Sequence, residues 1–193
     1  MVEFGGAGVM VLGAFASGVV FLLLALVLLK PLGWVSAFSI AGFLWAITGI
    51  ALLTLVPVAA HTGYVPAETR MATCSWDVGG PAPDGFWIFQ SGQRTLNTVL
   101  FVPAGALLVL SVARWRAGWM LTPIGFALLA AYSAGIERAQ LELARIDRAC
   151  DVTDFVDNVT GAAIGVVIGL LLIVVFRPWR HKHRKRQDRG VLT

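Results

Sequence analysis

Charge is what this sequence has least of. Asp, Glu, Lys and Arg together make up 13% of its 193 residues, against a hydrophobic share of 58%, where soluble domains carry about one quarter charged residues. With a mean hydropathy of +0.79, a soluble globular enzyme is excluded. The sequence has no His-Glu-x-x-His and no Gly-x-Ser-x-Gly, so zinc-protease and serine-hydrolase chemistry lack their parts. No internal repeat is visible, which removes support for an inverted-repeat transporter. Only two cysteines occur, Cys74 and Cys150, too few for a cysteine metal site.

What is present is long uncharged runs. The charge-free stretches predict an all-α, polytopic membrane helix bundle of about five transmembrane helices, near residues 6–29, 35–58, 95–113, 117–138 and 154–176. Each run is long enough to cross a hydrocarbon layer of about 30 Å. Residues 1–176 then form a single membrane domain, with an external loop over 59–93 and a basic tail over 177–193. Pro66, Gly79-Gly80, Pro81, Pro83 and Asp84-Gly85 fill the loop with turn chemistry that argues against long secondary structure.

Charge asymmetry orients the bundle. Lys30, Arg114, Arg116 and the tail fall on one side, which holds ten Lys and Arg against the single acid Asp188, a balance of +9; the opposite side holds five Arg against ten acids, −5. Positive residues are retained in the cytoplasm, so the C-terminus is expected there and the N-terminus outside. The localisation that follows is a multi-pass position in the bacterial cytoplasmic (inner) membrane. The basic residues crowd into one tail beside the membrane, where they suit anionic lipid rather than nucleic acid. Both cysteines come out on the external side, which makes Cys74–Cys150 a candidate disulfide, closing a loop that chain entropy values at roughly 4 kcal/mol.

The informative residues are polar groups that a membrane bundle does not need. At the external end of the fourth helix, Glu137 and Gln140 share a face, being three residues apart. Around the start of the fifth, Arg148 precedes Asp151, Asp154 and Asn158, whose spacings of three and four align them on one stripe; Asp157 falls between two of them. Asn97 and Arg94 stand at the same depth at the start of the third helix. Ionisable groups at a bilayer are functional candidates by default. Ion pairing within the chain, or capping of the fifth helix, is the competing structural role. Carboxylates with amides suit a hard divalent cation such as Mg²⁺ or Ca²⁺, and the arginines suit a phosphate or carboxylate headgroup; the residues leave that choice, and any metal or cofactor, open. Further along the fifth helix Gly161, Gly165 and Gly169 repeat at every fourth residue, a face for close helix packing against this chain or against a homo-oligomeric or other membrane partner.

Two patterns resemble the VanZ-like family of small bacterial membrane proteins. One is Asn97-x3-Phe101-x-Pro103-x-Gly105; the other is Glu137-x2-Gln140 followed by Arg148-x2-Asp151-x2-Asp154-x3-Asn158-x2-Gly161. Together they cover roughly residues 45 to 176, with Thr54 and Pro57 similar to the family's helix exit before the outer loop. The resemblance implies a link to the teicoplanin-type glycopeptide resistance of the family's namesake. The expected function is an outward-facing polar site at the outer-leaflet boundary that binds a cell-envelope lipid, a cell-wall precursor or a lipophilic glycopeptide. In that reading Arg94 and Arg148 neutralise the headgroup, while Asn97, Gln140 and Asn158 supply amide hydrogen bonds. The alternatives are a membrane-embedded enzyme acting on an envelope lipid and an assembly subunit docking through the glycine face.

Overall fold

A computed structural model describes residues 6–56, 74, 76, 92–142 and 151–177. The rest of the external loop, the tail beyond Arg177, Arg148 and Cys150 lie outside them.

The described elements are five α-helices: α1 (Ala7–Leu32), α2 (Trp34–Leu55), α3 (Gly92–Val112), α4 (Gly118–Glu142) and α5 (Val152–Phe176). All five are long and apolar enough to cross a membrane. In hydrocarbon a backbone N–H has no water to bind, so a continuous helix that satisfies its own carbonyls is the form such segments take.

The ends differ from the sequence boundaries for local reasons. α1 continues through Lys30 and Pro31 to Leu32, because a proline in the last turn forfeits only one bond to the preceding turn. Gly33 then turns the chain in a single residue, at φ 76° and ψ 161°, a backbone that a side chain would disfavour. α2 stops at Leu55, ahead of Pro57, whose ring disfavours helix in the residue before it. α5 begins earlier than its apolar run because Asp151 caps it: the carboxylate accepts the backbone N–H of Thr153 at 2.8 Å.

α3 is the central helix, with half of its most apolar window buried; it packs against α2, α4 and most extensively α5. The contact with α5 is made of glycine. A Cβ placed on Gly161 would lie 2.0 Å from the Thr98 carbonyl oxygen, one on Gly165 2.1 Å from that of Val102, and one on Gly105 of α3 2.2 Å from that of Ala162. The glycine face is therefore packed against α3 of the same chain, the intrachain alternative that its spacing left open.

Beside this contact, Phe101, Ala104 and Leu108 of α3 meet Ile50 of α2, Leu129 and Ile136 of α4, and Ala162 of α5 in the apolar core. α1 stands apart, packed on α2, where the Trp45 indole N–H donates to the Ala14 carbonyl at 2.9 Å.

A candidate site in a buried polar layer

One turn above the apolar core, at the end of the bundle where α2 finishes and α3 and α5 begin, polar side chains from four helices replace apolar ones. Their centre is an ion pair. The Arg94 guanidinium donates through Nε to Asp157 Oδ2 at 2.9 Å and through Nη2 to Oδ1 at 3.2 Å. The Asp157 side chain is 0% exposed and that of Arg94 12%. Two parallel bonds fix the fork geometry and add to the charge attraction. Asp151 and Asp154 also act electrostatically on Arg94.

Around the pair the amides are occupied. Gln140 is buried and donates through Nε2 to the Thr54 carbonyl in the last turn of α2, at 3.0 Å. Asn158 is buried and donates through Nδ2 to Ser133 Oγ of α4, at 3.0 Å. The Glu137 carboxylate is buried and accepts the backbone N–H of Asp151 at 3.2 Å, so α4 holds the start of α5. Arg138, next in sequence, turns outward and pairs with Glu142.

These contacts revise several sequence expectations. Asp151 is a helix cap. Gln140 and Asn158 each spend one amide N–H on α2 and α4 respectively, because a buried amide without a partner costs about 1–3 kcal/mol. Arg94 faces the protein, its charge matched by Asp157. Asp154 is half-buried beside this layer and engaged within the chain. Asn97 differs from the rest. It is partly buried on the face of α3 that continues into Phe101, Ala104 and Leu108, and among the described residues its side chain forms no hydrogen bond.

Asp157 is the residue that sequence reading left aside. Its signal was its spacing: Asp157, Gly161, Gly165 and Gly169 are successive fourth residues, which on a helix share one face. That face meets α3, so the acid had to meet whatever α3 offers one turn before Thr98, and that is Arg94.

Among the described residues no cysteine is a free thiol; the expected Cys74–Cys150 pairing falls on Cys150, which lies outside them. Among the described residues no group of three or more His, Cys, Asp or Glu is arranged to hold a metal ion.

The sequence profile of the VanZ/LLP1 family matches residues 19–175. The chain belongs to the VanZ/LLP1 family. The match starts within α1 and ends one residue before α5 does, so it covers part of the first helix, which the two motifs alone do not reach. No curated protein and no solved structure gives a significant match. In this VanZ/LLP1 protein the second motif, Glu137-x2-Gln140 with Asp151, Asp154, Asn158 and Gly161, is a structural unit: it joins α4 to the start of α5, α5 to α3, and α4 to α2.

Proposed function

We propose that this VanZ/LLP1-family membrane protein receives the polar part of a cell-envelope amphiphile at the polar layer, with Asn97 and Asp154 as its contact residues. The amphiphile is an envelope lipid, a cell-wall precursor or a lipophilic glycopeptide, the last connecting the protein to teicoplanin-type resistance. The positive-inside asymmetry of the sequence supports an outward-facing layer in the bacterial inner membrane, and Arg148, in the segment before α5, supplies positive charge for an anionic headgroup.

The observation that carries the reading is the contrast within the layer. Gln140, Asn158, Asp157 and Arg94 are committed to holding helices together, whereas the Asn97 amide, on an inward face above the apolar core, has no protein partner among the described residues. An amide there offers two donors and an acceptor on a frame whose neighbours are already locked, which is how binding geometry is pre-organised. A Cys74–Cys150 disulfide belongs to the same reading: Cys150 is the only other cysteine in the chain, and the bond would tie the external loop to the residue before the α5 cap.

The test is to purify wild type, Asn97→Ala and Asp154→Asn in mild detergent, extract what co-purifies and identify it by mass spectrometry. An amphiphile retained by wild type and lost from both folded variants supports the reading; equal retention by all three overturns it.

A further inference from the structure

A second feature of the bundle is apolar and lies beside α2, between α1 and α3. Between α1 and α3 runs a cleft of about 650 Å³. Its floor is Gly42 and Gly49 of α2, one wall is Met10 and Ala14 of α1, and the other is Val99 and Leu107 of α3. It stays open because α1 packs on α2 rather than on α3, and Trp45, which lines it, is pinned to the Ala14 carbonyl.

Its depth has a natural measure. Along α3 the lining runs from Val99 to Leu107 and along α2 from Gly42 to Leu53, about 12 and 16 Å at 1.5 Å per residue. Half of a hydrocarbon core of about 30 Å is about 15 Å. The cleft therefore covers one leaflet, and it is the leaflet at the polar-layer end, since its upper limit lies next to Thr54 and within two turns of Arg94.

Gly49 sharpens the point. A Cβ built there meets nothing within 4 Å, so no described protein atom uses the room this glycine leaves, although glycine is a poorer helix former than alanine. In a bilayer the molecules at that depth are hydrocarbon chains, and an unfilled apolar space forfeits dispersion contacts along its whole lining. We propose that the cleft is a binding site for the hydrocarbon tail of a lipid from the leaflet that bears the polar layer. The tail lies along the Gly42–Gly49 floor, with α1 and α3 on either side. The site stands independently of the polar-layer reading, for it would hold a tail whether or not Asn97 meets a headgroup.

The experiment reconstitutes the full chain into phosphatidylethanolamine–phosphatidylglycerol vesicles carrying a trace of phosphatidylcholine with a diazirine in its acyl chain, then maps photolabel by peptide mass spectrometry. Gly49→Phe fills the cleft from open space; Gly135→Phe, at another glycine whose added Cβ meets nothing within 4 Å, is the control on α4. Label per residue over 42–53 and 99–107 is expected at about tenfold that on the exposed residues of 119–128. It should fall to the α4 level in Gly49→Phe and stay high in Gly135→Phe. Uniform labelling in wild type, or label unchanged by Gly49→Phe, overturns the proposal. So does a wild-type dimer, lost in Gly49→Phe without preferential label, which assigns the cleft to a second copy of the chain.

Discussion

Removing one member of the Arg94–Asp157 pair should be among the most damaging changes this protein can suffer, and the two members should not be equivalent. Breaking a buried pair by deleting one partner costs about 3–5 kcal/mol, because the charge left behind is uncompensated. Asp157 is fully buried and Arg94 is its one partner among the described residues. Arg94, in contrast, also feels Asp151 and Asp154. Arg94→Met therefore strands an acid with nothing to meet it and should cost about 4–5 kcal/mol. Asp157→Leu leaves a guanidinium with two further acids in reach and should cost nearer 3 kcal/mol. The double variant removes both charges at once and should lie within about 1 kcal/mol of wild type, since apolar replacement of a buried pair is often neutral. Unfolding in mixed micelles, followed by fluorescence of the seven tryptophans, would measure all four corners of the cycle. Two single variants each within about 1 kcal/mol of wild type, or a double variant as unstable as the sum of the singles, would refute the argument.

Other contacts make narrower predictions. Gly161→Val and Gly165→Val place side-chain atoms against α3 carbonyls at 2.0 and 2.1 Å, so each should lower stability by about 1–3 kcal/mol or prevent folding, while Gly135→Ala should be within about 0.5 kcal/mol; detergent melting curves compare them. Asp151→Ala should cost about 1 kcal/mol and Asp151→Asn much less, because asparagine also caps a helix, and hydrogen exchange at the first turn of α5 should rise only in the alanine variant. Non-reducing digestion should yield one cross-linked peptide containing Cys74 and Cys150, and Cys150→Ala should expose Cys74 to maleimide; separate peptides would contradict the pairing.

The fold was legible because a membrane allows so few alternatives. Five uncharged runs had to be helices, and their mutual packing was partly readable from Gly161, Gly165 and Gly169. The alignment of Glu137, Gln140, Asp154 and Asn158 at one depth was readable from charge and spacing as well. Direction within that layer was not. Gln140 looks the same in sequence whether its amide meets a ligand or the Thr54 carbonyl, and the difference depends on where α2 stops. The partner of Arg94 was hidden for the same reason: Asp157 is 63 residues away, on a helix whose rotation is set by the glycine face. Asp157 was passed over because the acidic stripe was drawn through Asp151, Asp154 and Asn158, when the glycines marked a second face that also carried an acid. The apolar cleft had no sequence signature, since Gly42 and Gly49 read as ordinary small residues until α1 and α3 are seen to flank them.

Native mass spectrometry of wild type beside Asn97→Ala, released from the same mild detergent, tests the central claim most directly. Asn97 makes no bond that holds the described helices together, so the variant should melt with wild type while losing a bound amphiphile at least about tenfold. Full retention of that adduct in the folded variant, or a folded wild type that carries none, would contradict the claim that the polar layer is a binding site.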